Sequence, residues 1–159
     1  MLAIDGCIDP HAEQCLLSVV NDDPSKLCAA LEDMETINEP LHFPGKALTP
    51  LDKGPTLLSV AAYFGALDCI QEILKRNPDI YAEDARGRNA AHFAVANGDL
   101  KVLKALPFDP EFYANNDNKS LLKEAVVNGS SKVLSFLLEN GVSVDKEINI
   151  EVLMTACRN

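Results

Sequence analysis

The feature that most constrains this chain is an internal repeat, marked by glycines that recur at nearly equal intervals. Gly65 and Gly98 stand one period apart, and Gly129 follows after almost the same interval. Each glycine follows an alanine-containing helical stretch and precedes a second stretch with apolar residues at spacings of three and four. That spacing puts side chains on one helix face, and glycine accepts the positive φ of a tight turn. Two helices this short cannot bury an apolar face alone, so neighbouring units must stack into a solenoid.

The repeated unit carries a recognisable motif. The first unit reads TLLSVAAYFGALD from Thr56 and closes with NPDIYA at 77–82. The second keeps an opening aspartate, a glycine and His92, and the third closes with NGVSVD at 140–145. These segments resemble the T-P-L-H-x-A-A-x-x-G-H signature and the G-A-D-V-N-A tail of the ankyrin repeat. The resemblance implies an all-α, ankyrin-repeat solenoid of stacked antiparallel helix pairs with short hairpin-like connections.

The repeat register predicts the organisation of the chain. Ankyrin repeats are predicted over 52–159, as units at about 52–83, 84–116 and 117–147 and a partial unit at 148–159 that suggests a longer native polypeptide. A degenerate capping helix pair is predicted over 1–34, with helices at 13–20 and 24–33. Between them lies a proline-rich insertion loop, 35–55, which is long for a connection in a compact domain. In the second unit Pro107 is expected to end the second helix near Leu106.

Charge and hydropathy exclude several classes of partner. The chain has 24 acidic and 14 basic residues, a net charge of −10. Nine of the acids, against two lysines, fall in residues 1–51. Such a field repels nucleic acid. No stretch reaches the roughly 20 apolar residues of a membrane-spanning helix, and the start shows no secretory signal. We therefore expect no nucleic acid partner and no membrane insertion.

The cysteines favour a reducing compartment. There are five, with no C-x-x-C pair and no histidines at ligand spacing. Cys28 and Cys69 fall within apolar helical runs and are predicted to be buried, slowly reacting thiols. This usage favours a cytoplasmic protein, although delivery as a secreted effector stays open.

Catalytic patterns are missing from the sequence. None of the phosphate-binding, nucleophile-elbow, zinc-protease or dinucleotide patterns occurs. Of the three histidines, His92 falls where the ankyrin resemblance implies a structural histidine that hydrogen-bonds neighbouring turns. We therefore expect no enzyme activity, no cofactor, no metal and no catalytic residue.

The ankyrin resemblance also places candidate partner-binding positions. Hairpin tips and the exposed ends of the first helices line the concave face of such a stack. The candidates are Lys53, Tyr63, Phe64, Arg86, Arg88, Asn97, Lys119 and Asn128. One hypothesis is that the aromatic pair and the two arginines form a mixed anchor for an acidic-aromatic or extended peptide. The alternative is structural: Phe64 packs on the long loop, and the arginines pair with Glu83 or Asp84.

The function that follows is a non-catalytic protein–protein interaction module. Its partner is expected to be another protein or a peptide, and the acidic field favours one with basic patches. The alternative is a regulatory or targeting ankyrin segment of a larger enzyme, channel or secreted effector. The sequence leaves the oligomeric state open, as well as whether the loop at 35–55 covers the concave face.

Overall fold

The computed structural model describes residues 10–32, 37–42, 51–109 and 121–142. Within these ranges every regular element is an α-helix, so the all-α prediction is confirmed. The helices of these ranges are α1 (Pro10–Val20), α2 (Pro24–Glu32), α3 (Leu57–Phe64), α4 (Leu67–Leu74), α5 (Ala90–Asn97), α6 (Leu100–Ala105), α7 (Leu121–Val127) and α8 (Ser131–Glu139).

The helices are stacked in two layers. The odd-numbered helices form the first layer, in which α3 packs between α1 and α5, and α5 also packs on α7. The even-numbered helices form the second layer, in which α4 packs between α2 and α6, and α6 packs on α8. Each first helix also packs on the second helix that follows it, and the short turn between them makes the two antiparallel. This is the predicted ankyrin solenoid.

The turn inside each helix pair needs a left-handed backbone. Gly65, Gly98 and Gly129 have φ of 71°, 82° and 64°, as the repeat pattern predicted. In the first pair the same place is taken by Asp22, with φ of 47°. The hydrogen bonds of the two turns are equivalent. The Asp22 amide donates to the Val19 carbonyl and the Gly65 amide to the Ala62 carbonyl, in each case three residues earlier. The helix pair α1–α2 is therefore in register with the repeats, with aspartate at the glycine position.

Polar side chains fix where the first helices begin. Thr56 precedes α3, and its hydroxyl accepts a hydrogen bond from the Ser59 amide at 3.3 Å. Asn89 precedes α5, where its side-chain oxygen accepts from the Ala91 amide at 3.2 Å. The ring Nδ1 of His92 accepts from the Asn89 amide at 3.2 Å, which completes a capping box. These caps satisfy amides that helix geometry leaves without a partner.

The core runs between the two layers. Ala61 and Ala62 of α3 are fully buried, and their small side chains allow α5 to approach closely. Phe93 of α5 is the largest fully buried side chain among the described residues. Ile70, Ile73 and Leu103 close the core from the second layer. Apolar burial of this kind is the main source of stability in a stacked array.

The helix boundaries confirm one prediction and correct another. Helix α6 ends at Ala105, and Leu106 is extended with ψ of 148°, as expected for a residue before proline. Helix α1 begins at Pro10, three residues earlier than predicted, because proline is well suited to the first turn of a helix. The predicted partial unit at 148–159 lies outside the described residues. The division of the chain into units stays a prediction.

Part of the proline-rich insertion packs on the first hairpin. The amide of Leu41, a buried residue, donates to the Pro55 carbonyl at 2.9 Å. The side chain of Asn38 accepts a hydrogen bond from the Asp79 amide at 2.8 Å. Residues 37–42 are therefore hydrogen-bonded to the first repeat at Pro55 and at Asp79. The Ala85 amide donates to the Lys53 carbonyl at 2.9 Å, which joins the first repeat to the second.

The two cysteines of the helical runs differ in exposure. Cys69 is fully buried, and its thiol lies 3.7 Å from the Ser18 carbonyl. Cys28 is only half-buried, so the prediction that it is buried was wrong. It lies on α2 in the second layer, where its sulfur contacts the exposed Arg76 guanidinium at 3.8 Å instead of entering the core. Cys28 and Cys69 are free thiols.

Candidate partner-binding surface

Arg88 is held inside the hairpin of the second repeat. Its Nε and Nη2 donate to one carboxylate oxygen of Asp84 at 2.9 and 2.6 Å. The other oxygen accepts the amides of Arg86 and Arg88 at 2.8 and 2.9 Å. The Arg88 guanidinium also stacks over the ring of Phe93, 4.6 Å from its centroid. For Arg88 the structural alternative, pairing with Asp84, is therefore the one observed.

Arg86 and Lys53 occupy the hairpin tips. Arg86 Nη2 lies 3.3 Å from Asp52 Oδ2, and Lys53 Nζ lies 3.5 Å from the same oxygen. The side chains of Arg86 and Lys53 are 46% and 43% exposed, against 19% for Arg88. Exposed pairs of this kind contribute little to stability, so both tip cations keep access to solvent and to a partner.

The aromatic pair belongs to a cluster that spans two repeats. The rings of Tyr63 and Phe64 meet edge to face with centroids 5.4 Å apart. Tyr63 also meets the buried ring of Phe93 edge to face, at 6.4 Å. Because Arg88 stacks on Phe93, the predicted aromatic and arginine residues are linked through a buried ring that sequence reasoning had not included. Phe64 is the exposed end of this cluster, and Tyr63 is its half-buried support.

The predicted asparagines lie at the ends of the first helices and are hydrogen-bonded. Asn97 Nδ2 donates to the Tyr63 carbonyl of the preceding repeat at 3.0 Å, and its Oδ1 accepts the Asp99 amide at 3.2 Å. Asn128 Nδ2 donates to the Glu124 carbonyl at 2.9 Å. Both side chains are exposed; Asn128 closes its own turn, whereas Asn97 bonds both its own turn and the preceding repeat. Lys119 lies outside the described residues.

The register of the turns defines one continuous set of positions. We call the two residues before each turn residue, together with Leu17, the inner row. Its members are Leu17, Val20, Asn21, Tyr63, Phe64, Ala96, Asn97, Val127 and Asn128. None of them is charged, in a chain with a net charge of −10.

The inner row holds most of the exposed apolar bulk. Among the described residues, the exposed large apolar side chains are Leu17 (53%), Val20 (41%), Phe64 (36%), Val127 (72%) and Leu138 (39%). Four of these five lie on first helices, and only Leu138 lies in the second layer. Aligned exposed apolar side chains mark an interaction surface more than scattered single ones do.

Three exposed apolar residues of the inner row, Leu17, Val20 and Val127, were not among the predicted site residues. The signal that could have found Leu17 and Val20 is Asp22, which aligns with Gly65 only once aspartate is accepted at a left-handed position. With that alignment Val20 takes the place of Tyr63, and Leu17 takes the place of Val60 one helical turn earlier.

The described residues offer little chemistry beyond binding. Burial lowers the pKa of His92 to about 4, and Asp84 only partly opposes this effect, so the ring is neutral and structural. No group of three or more His, Cys, Asp or Glu side chains in the described ranges is placed to hold a metal ion. Among the same residues, none of the helices has the length and apolar character needed to cross a membrane.

Comparison with known proteins agrees with this geometry. The family described as "Ankyrin repeats (3 copies)" matches residues 26–111 and 58–149. The chain belongs to the ankyrin repeat family, whose members are generally non-catalytic protein-interaction modules.

Two relatives are similar to this chain in sequence. Potassium channel AKT2/3 of Arabidopsis thaliana is 30% identical over 95 residues, which cover 60% of this chain and 12% of the channel. The putative ankyrin repeat protein FPV223 of fowlpox virus is 29% identical over 97 residues, which cover 59% of this chain and 69% of the viral protein. The similarity to the channel thus concerns a small part of its length.

Proposed function

We propose that this chain is a non-catalytic interaction module that holds a protein or peptide partner on its first-helix face, the concave face of an ankyrin stack. The observation that carries the proposal is the inner row. Three of the four first helices contribute its exposed apolar side chains, Leu17, Val20, Phe64 and Val127, which water solvates poorly. Burying them against a partner recovers that free energy.

The face is built to stay rigid. Phe64 rests on Tyr63, which rests on the buried Phe93, and Arg88 holds that ring from the hairpin side. Asn97 links α5 to the end of α3 through the Tyr63 carbonyl. A surface held in this way loses little conformational entropy when a partner binds.

The hairpin tips supply the polar rim of the same face. Lys53 and Arg86 share the carboxylate of Asp52, and both cations are nearly half exposed. Rim charges of this kind set orientation and association rate more than affinity. The partner proposed here is a protein in a reducing, cytoplasmic compartment. No nucleic acid, cofactor or membrane is part of the proposal.

A pull-down with matched variants tests the proposed function. Purified wild type, Val127→Ser and Leu138→Ser would be used as baits and compared by quantitative mass spectrometry. Both substitutions remove an exposed apolar side chain, but only Val127 lies on the inner row. We expect a specific partner to be lost with Val127→Ser and kept with Leu138→Ser, while both variants melt like wild type. Retention of every partner by Val127→Ser would contradict the proposal.

A second candidate function is a regulatory or targeting segment of a larger protein. The similarity to 12% of the length of a potassium channel favours it, because there the repeats are a small part of a long chain. An immunoblot of the native protein separates the two functions. A band well above 17.2 kDa supports the segment, and a band at that mass contradicts it.

A further inference from the structure

Resting on the proposed function, we infer that the inner row accepts an amphipathic α-helix whose docking face is apolar and whose basic end lies over α1. Three properties of the row favour a partner of this kind: its hydrogen-bonding groups, the spacing of its apolar side chains and the charge at its two ends.

The first property is that the row has few hydrogen-bonding groups to offer. One N–H of each side-chain amide of Asn21, Asn97 and Asn128 is already donated, to the carbonyls of Leu17, Tyr63 and Glu124. Apart from Tyr63, the other members of the row have apolar side chains, which form no hydrogen bonds. The Asn97 oxygen is also taken, by the Asp99 amide. An extended peptide would bring backbone N–H and C=O groups that need partners when water is removed. A helix satisfies those groups within itself. Removing water from between the row and a helix therefore costs less free energy than removing it from between the row and an extended peptide.

The second property is the spacing of the apolar side chains. Leu17 and Val20 lie on α1, Phe64 on the next first helix and Val127 on the fourth. Packed helices lie about 8–10 Å apart, so the row spans about 24–30 Å. A helix rises about 1.5 Å per residue, so about 18 residues cover that distance. Apolar residues at i, i+7 and i+18 then reach α1, α3 and α7. All three share one helix face, because their offsets are close to whole numbers of helical turns.

The place of α5 in the row is filled by Ala96, whose small side chain leaves room opposite it. A bulky residue of the partner at i+11 falls near this position and on the same face. The full pattern of i, i+7, i+11 and i+18 reads the same in both directions. Spacing alone therefore does not orient the helix.

The third property, charge, gives the orientation. Residues 10–32 carry four acids, Glu13, Asp22, Asp23 and Glu32, against the single base Lys26. Residues 121–142 carry two acids and two bases, so the described segment that contains α7 is neutral. A helix with lysines or arginines at one end is therefore attracted to the α1 end of the row, while its uncharged face lies on the uncharged row.

Synthetic peptides test this inference directly. The probe is a labelled peptide of about 21 residues, long enough to span the row as a helix. It has leucine at positions 2, 9, 13 and 20, lysines near one end, and alanine and glutamine elsewhere. One control peptide has the same composition with two leucines moved to positions 7 and 15, on the opposite side of the helix. A second control has a central proline that breaks the helix. Fluorescence anisotropy with the intact chain would measure each dissociation constant.

We expect the patterned probe to bind about tenfold more tightly than either control. We expect Val127→Ser to weaken it by about the same factor and Leu138→Ser to leave it unchanged. Absence of binding by the patterned probe, or equal binding by the shifted control, would overturn the inference. Equal binding by the proline control, with Val127→Ser weakening both peptides, would overturn the helix but leave the proposed surface standing. Loss with Leu138→Ser alone would contradict both.

Discussion

The carboxylate of Asp22 accepts a hydrogen bond from the backbone amide of Cys69 at 3.0 Å and lies 3.5 Å from the amide of Asp68. These amides belong to the first turn of α4, whose own N-cap residue, Ala66, makes no side-chain capping bond. The turn of the first helix pair thus caps a helix of the next repeat. The contact joins the degenerate pair to the rest of the stack.

We predict that Asp22→Ala lowers the free energy of unfolding by about 2 kcal/mol, because it removes a cap and puts alanine in a left-handed conformation. Asp22→Asn keeps an oxygen acceptor and tolerates positive φ, so it serves as the matched control and should lose far less. Urea unfolding of both variants checks the prediction, and an unchanged midpoint for Asp22→Ala would count against the cap.

The two hairpin arginines should differ in their effect on stability. Arg88→Ala leaves the buried Asp84 carboxylate without its cation and uncovers Phe93, and we predict a loss of about 2 kcal/mol. Arg86→Ala removes only an exposed pair with Asp52, and we predict a change within about 0.5 kcal/mol. Chemical denaturation measures both free energies of unfolding. Equal losses for the two variants would contradict the larger contribution assigned to the Arg88–Asp84 pair.

Folding stability should depend on pH through His92. Its pKa in the folded state is about 4, against an ordinary value of 6.5, because burial disfavours the charged ring. The unfolded chain therefore binds this proton more strongly. The stabilisation, about 3 kcal/mol at most, is complete above about pH 6.5 and is lost as the pH falls to about 4.

His92→Gln removes this titration and is the comparison that isolates it from the carboxylates. Urea unfolding at several pH values should give a difference between wild type and variant that shrinks from pH 7 towards pH 4. A difference that stays constant across that range would contradict the assignment.

Thiol labelling should separate Cys69 from Cys28. Burial, with a smaller contribution from the Asp22 carboxylate, raises the pKa of the Cys69 thiol to about 12, so almost no thiolate is present near neutral pH. Cys28 is half-buried and reachable. We predict slow native labelling of Cys69 and faster labelling of Cys28, with both fast in denaturant. Mass spectrometry of labelled fragments checks this, and rapid native labelling of Cys69 would contradict its burial.

The repeat pattern was sufficient to predict the fold, because the stack is fixed by local features. Gly65 and Gly98 give the turns, and the apolar spacing gives the buried faces. The first pair was harder to align, because its turn residue is Asp22 and not glycine, and aspartate rarely adopts a positive φ. That difficulty is why Leu17 and Val20 were missed as surface residues.

The candidate site was less predictable than the fold, because exposure depends on which neighbours a side chain meets. Arg86 and Arg88 look equivalent in the sequence. Only the structure distinguishes the arginine that pairs at an exposed tip from the largely covered one that is held between Asp84 and Phe93. Cys28 lies within an apolar run, yet it faces Arg76 at the edge of the second layer.

The most direct measurement of partner binding on the inner row is methyl NMR of the chain titrated with a partner identified by pull-down. Leu17, Val20 and Val127 report on the row, and Leu138, which is also apolar and exposed but lies in the second layer, is an internal control. We predict large shift changes for the three row methyl groups and none for Leu138. Shifts at Leu138 with the row signals unmoved would contradict binding on the first-helix face.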